Sequence, residues 1–188
     1  MCSVLGLSYR KVMSLCKKNG CKVANIICNH KEDDLVKHNI FVCTGGTNNV
    51  VSLITAVEEI GGWNGTKPKA KKLKVSGAFH SVAMFPARAQ LSIALNQMNI
   101  SLPTDKLIYS NVTGRPYQST SEIRLNLLLH IGKPVLWHDI IHSLSDQEGV
   151  TIFVECGPQK VISKTVQACL KCKADEESQL YTIISSDP

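Results

Sequence analysis

The sequence predicts an α/β protein in two parts. Residues 1–75 alternate short Val- and Ile-rich runs with amphipathic stretches in the order βαββαβ. That order is the ferredoxin-like split unit, with both helices on one face of a four-stranded antiparallel sheet. Residues 76–173 alternate helices with strands, as in a piece of a parallel α/β sheet, but offer only two clear strands. Charge divides at the same boundary. Residues 1–75 hold 12 Lys and Arg against 5 Asp and Glu, while residues 76–188 hold 9 against 10. An electrostatic partner is therefore expected at the first part. Residues 174–188 read as a polar tail.

Each element has a local reason. Cys2–Leu7 is a short apolar run, read as a strand. Ser8 can cap a helix over Ser8–Asn19, where Val12, Leu15 and Cys16 recur at helical spacing, and Gly20 stops it. Lys22–Cys28 and Asn39–Cys43 read as strands, with polar Asn29–His38 a loop between them. Thr47 is the candidate cap of a helix over Asn48–Ile60, ended by Gly61-Gly-Trp-Asn-Gly65. Lys71–Val75 alternates as the fourth strand. Beyond it, Met84–Asn99 is helical, with Pro86 tolerable only in the first turn. Leu107–Ser110 reads as a strand followed by an Asn111–Pro116 turn. Ser119-Thr-Ser-Glu122 is a capping box ahead of a helix over Ile123–Ile131. Leu136–Leu144 and Gln159–Leu170 read as helices, Val150–Glu155 as a strand and Gly157-Pro158 as a turn.

Composition removes several classes. At 188 residues, 44% hydrophobic and 19% charged, the chain reads as a globular protein rather than a disordered one. No apolar run approaches the roughly 20 residues of a membrane span. The opening residues have too short an apolar core for a secretory signal and lack the Arg- and Ser-rich pattern of a transit peptide. Eight dispersed cysteines are then expected to be mostly reduced. RNA recognition by the sheet would need exposed aromatics, and the strands offer only Phe41.

His80, in the small-residue turn Val75-Ser-Gly-Ala-Phe-His80-Ser81, sits where α/β enzymes place catalytic groups. His138 and His142 share a helix face at i, i+4, but no third ligand stands near them in sequence, so an exposed face is expected rather than a metal site. Cys169-x-x-Cys172 is one lone pair, too little for zinc. Cys156 is expected to be a buried strand-end thiol, not a nucleophile. The lysines from Lys67 to Lys74 suit either phosphate binding or a solvated strand edge. No G-x-S-x-G elbow occurs.

Six blocks together resemble malonyl-CoA:acyl-carrier-protein transacylases, in the family's order. They are Met1–Ser8, Val23-Ala-Asn25, the block Val75-Ser-Gly-Ala-Phe-His-Ser-Val-Ala-Met-Phe-Pro-Ala87, Tyr109–Gly114, Pro134-Val-Leu-Trp137 and Val154–Val161. The closest flavour is the mitochondrial form, so mitochondria are the expected location, with the cytoplasm as the alternative. The resemblance implies that residues 76–173 are the C-terminal part of an α/β-hydrolase-like domain. It implies a two-step malonyl transfer from coenzyme A through a serine ester to the phosphopantetheine thiol of acyl carrier protein. His80 matches the family's general base, and a backbone carbonyl near His130 would orient its ring. Phe79 matches the residue type of malonyl-specific members. The expected partners are acyl carrier protein and malonyl-CoA, for a monomer with no other cofactor, no metal, no nucleic acid and no membrane. The family's serine elbow, its arginine clamp and its oxyanion segment all precede the matched blocks. The chain is therefore expected to be a C-terminal portion (truncated, spliced or degenerate), inactive alone or serving as a non-catalytic carrier-binding or regulatory fragment.

Overall fold

A computed structural model describes residues 1–31, 33–62, 67–157, 160–170 and 181–185. The first unit runs β1 (Cys2–Leu5), α1 (Tyr9–Lys18), β2 (Lys22–Cys28), β3 (Ile40–Thr44), α2 (Thr47–Glu58) and β4 (Lys69–Lys72). All pairings are antiparallel, and the sheet order is β2-β3-β1-β4. Alternate strand residues Cys2, Val4, Phe41 and Cys43 meet Val12 and Cys16 of α1 and Val50, Leu53 and Val57 of α2 in one core. Burying each of the larger side chains contributes about 1.5–3 kcal/mol. The cysteines act here as small hydrophobes, with Cys16 Sγ 3.5 Å from Cys43 Sγ. Burial first, then the neighbouring Cys16 and Cys2, raises the Cys21 thiol to about 11.

Several boundaries differ from the sequence reading. Ser8 does cap α1, accepting from the Lys11 N–H. For α2 the cap position falls to Gly46, and Thr47 is already helical. The segment Asp33–His38, read as loop, is a 3₁₀ helix. The fourth strand lies two residues early and ends at Lys72 rather than Val75. The cause is its partner: β1 offers pairing only from Cys2 to Leu5. Lys69, Lys71 and Lys72 are exposed along this edge strand. Trp63–Gly65 of the expected turn lie outside the described residues.

The second part carries α3 (Pro86–Gln97), α4 (Thr120–His130), α5 (Trp137–Asp146), β5 (Ile152–Glu155), α6 (Val161–Leu170) and β6 (Thr182–Ser185). β5 and β6 pair in parallel, so part of the segment read as a polar tail is a strand. Leu107–Ser110 forms no strand; Tyr109 makes only an isolated bridge to Pro116. Ile152, Val154 and Ile184 leave one face of the small sheet uncovered, at 59%, 58% and 48% exposure. The two parts join along β2. The Ile26 N–H donates to the Val135 carbonyl at 2.9 Å and the Val135 N–H to the Ala24 carbonyl at 2.8 Å. Among the described residues no helix is long and apolar enough to cross a membrane.

Candidate active site

After Lys72 the chain leaves the sheet and turns tightly before α3. The Ser81 hydroxyl donates to the Ala78 carbonyl at 2.6 Å and accepts from the Ala83 N–H, capping a short 3₁₀ turn over Val82–Met84. Pro86 then opens α3 at a position that needs no N–H donor. Within this turn His80 adopts φ 58°, the left-handed region. Among the described residues it is the sole non-glycine with positive φ. Such a conformation is sparsely populated and persists only where its surroundings enforce it. It turns the ring toward the end of α4.

The Ser119 hydroxyl accepts from the Glu122 N–H and starts α4, while the Glu122 carboxylate reaches back to the Gln118 N–H at 2.8 Å. The capping box thus closes one residue earlier than its usual form. At the other end the Gly132 and Lys133 N–H groups both converge on the Leu129 carbonyl. The His130 carbonyl, one of the last carbonyls without an intrahelical donor, is left available. His80 Nδ1 lies 3.0 Å from it. A carbonyl can only accept, so this contact requires the proton on Nδ1 and leaves the Nε2 lone pair outward. The two imidazole rings are 4.9 Å apart. Burial first, then the charge of His80, lowers the pKa of His130. A Cβ on Gly132 would overlap the Phe85 ring edge, so any side chain there would have to push that ring aside.

A cavity of 290 Å³ opens beside the histidine pair. Phe79, Met84, Leu91, Leu127 and Ile131 line it with the two histidines, and Phe79 stands at the rim, 38% exposed. The geometry offers an oriented base beside an apolar chamber, which suits proton transfer to and from a nucleophile held there. The four aliphatic and thioether lining residues carry no signal in the sequence that separates them from ordinary core positions.

Other candidates land elsewhere. Cys156 is exposed, contrary to the buried position expected of it, because β5 stops at Glu155 and leaves it on a turn. His138 and His142 are half-buried rather than on an exposed face. Their side of α5 packs on the end of β2, where Cys28, His138 and Cys169 place potential ligand atoms within 4.8 Å of one another. His142 is not one of the three, so the i, i+4 pair is not the set that the fold gathers. Hydrogen bonding from Cys169 first, then from His138 and His30, lowers the Cys28 thiol well below the usual thiol range, against the effect of burial. Cys172 lies outside the described residues.

No protein-family model matches the chain. A curated protein of Bacillus subtilis strain 168, named malonyl CoA-acyl carrier protein transacylase, is 34% identical over 163 residues, covering 84% of this chain and 47% of that protein. A Drosophila melanogaster protein, named as a probable mitochondrial malonyl-CoA-acyl carrier protein transacylase, is 32% identical over 120 residues, covering 62% of this chain and 31% of its own length. The crystal structure of FabD from Acinetobacter baumannii superposes with a TM-score of 0.79 at 26% identity, over 99% of this chain and 53% of that one. The chain spans less than half the length of these two curated relatives.

Proposed function

This chain is a homologue of the malonyl-CoA-acyl carrier protein transacylases, an acyltransferase family, and on that premise we propose that it serves malonyl transfer from coenzyme A to acyl carrier protein with His80 as general base. The 3.0 Å contact between His80 Nδ1 and the His130 carbonyl carries the reading. With Nδ1 committed to that carbonyl, Nε2 takes the proton of an attacking hydroxyl or thiol as the new acyl bond forms. It returns that proton to the departing thiolate as the old bond breaks. A main-chain acceptor does the orienting work that a triad carboxylate does elsewhere.

The proposal extends to organisation. Residues 1–75 form the ferredoxin-like small subdomain, supported by the βαββαβ order and the β2-β3-β1-β4 sheet. Residues 76–173 belong to the larger α/β-hydrolase-like domain, and Phe79 at the cavity rim disfavours a 2-methyl branch on the acyl group. The acyl carrier protein binds at the basic first part. The sequence holds no G-x-S-x-G elbow, and the Ser81 hydroxyl is bonded back to Ala78. The isolated chain therefore binds the carrier without turnover. It acts as a monomer, binds neither nucleic acid nor membrane, and needs no cofactor beyond its substrate. Mitochondrial residence is supported by relatives such as the Drosophila protein.

The test joins the N-terminal portion of the Bacillus subtilis relative ahead of this chain and measures malonyl transfer beside carrier-protein pulldown. The chimaera is expected to transfer malonyl, and His80→Ala to cut the rate about 10²–10⁴-fold. The isolated chain is expected to capture the carrier without transferring malonyl. Undiminished turnover in His80→Ala rejects the general-base role. Failure of both chains to capture the carrier rejects the partner.

A further inference from the structure

We propose that Cys28, His30, His138 and Cys169 form a closed structural zinc site between the two parts of the molecule. Cys28 ends β2, His30 follows in the next loop, His138 sits in the first turn of α5, and Cys169 lies near the end of α6. Ligand atoms of Cys28, His138 and Cys169 lie within 4.8 Å of one another, and His30 Nε2 is 2.8 Å from Cys28 Sγ. Two thiolates and two imidazoles are a soft, nitrogen-and-sulfur donor set, the chemistry that selects zinc over magnesium or calcium. The three clustered ligands leave a fourth position, which His30, lying against Cys28, turns in to fill on metal binding, so the closed site holds structure rather than catalysing a reaction. Two thiolates also balance the charge of a divalent ion inside a buried region.

The ligands are held from outside. The His30 backbone N–H donates to Asn39 Oδ1 at 2.6 Å, and Asn39 Nδ2 returns a bond to the His30 carbonyl at 3.1 Å. Asn39 is fully buried, so the loop carrying His30 is pinned. The Asn29 N–H approaches His138 Nδ1 at 3.3 Å and steers that ring. Such outer contacts pre-set ligand orientation. Ile141, Val166 and Leu170 pack round the two thiols. His142 is turned toward Asp146 at 3.6 Å and stands beside the set rather than in it. Cys169 donates to the Ile27 carbonyl at 2.7 Å, and metal binding replaces its thiol proton, and any on Cys28, with metal–sulfur bonds while releasing those protons to solvent.

The reduced 188-residue chain is titrated with zinc against a chromogenic chelator, and with cobalt as a spectroscopic stand-in. The expected result is one ion per chain, tetrahedral cobalt bands with thiolate charge transfer, and a raised Tm. Cys28→Ser and Cys169→Ser are each expected to weaken zinc binding more than about 100-fold, and Cys156→Ser to leave it unchanged. Should those variants fail to fold, alkylation of the unaltered chain decides. Zinc is expected to protect Cys28 and Cys169 while Cys156 still reacts. Substoichiometric binding, a six-coordinate cobalt spectrum, equal affinity in foldable Cys28→Ser, or thiols as reactive with zinc as without it overturns the site.

Discussion

A histidine with positive φ is the residue on which the candidate active site turns. His80 and Phe79 were legible because their block survives as a continuous run, Val75 to Ala87. The contact to His130 was legible only through the resemblance, since nothing in local spacing links residues fifty apart. The acceptor is a main-chain carbonyl, which any residue at position 130 supplies. Cys28 and His30 carried no signal and Cys169 showed only as half of a lone Cys-x-x-Cys pair, because the set comes from separate segments whose meeting depends on tertiary packing. His130 also gives a pH prediction. Burial and the neighbouring His80 depress its folded pKa below the ordinary 6.5. Stability is then full above pH 6.5 and lost as pH falls through the folded value. The Tm of the native chain is expected to decline more steeply between pH 7 and pH 5 than that of His130→Gln. Parallel slopes would remove this assignment.

Elements were read most accurately where a local signal fixed both ends. Lys22–Cys28 has its strand limits as expected, between Gly20-Cys21 and a polar segment. β4 was misplaced because alternation among lysines cannot tell which four residues will find a partner. Register shifts between Val23 and Asn25 and between Ile26 and Cys28 interrupt β2. They place Val23 and Ile26 against one core and Cys28 in the other, which simple alternation forbids. α6 has a cap that no residue next to it announces. Glu155 accepts from the Ile162 N–H at 2.8 Å and from the Ser163 N–H and hydroxyl at 2.8 and 2.6 Å. Burial pushes this carboxyl up, but these hydrogen bonds outweigh it and hold its pKa below 4.5. Its contribution is thus present above pH 4.5 and lost as pH falls through the lowered value. Glu155→Gln is expected to lower the Tm by roughly 2–8 °C at neutral pH, as loss of a helix cap does. It should also speed amide exchange in the first turn of α6. Unchanged exchange there would show that the carboxylate does not anchor the helix.

At the scale of the molecule, two cores share one strand. β2 contributes Val23 to the first cluster and Cys28 to the second, and its outer edge bonds to Val135. Charge changes along the sequence near residue 75, but this join was not legible, because Val135 reads as one residue of a Pro-Val-x-Trp segment. The join also separates the fates of the two sheet margins. The β2 margin is sealed by another part of the same chain, whereas the β4 margin is left to its lysines. Its protection against a second sheet is therefore a matter of repulsion, and repulsion can be switched off by added electrolyte. Light scattering from the chain is expected to rise with ionic strength, and to rise earlier in a Lys69→Thr, Lys71→Thr variant. Scattering indifferent to salt in both would mean that the open margin is guarded by shape. Where charge is the guard, the same lysines are a solubility device that any polyanion seated on them silences, so the margin that keeps copies of the chain apart is also the one most easily disarmed.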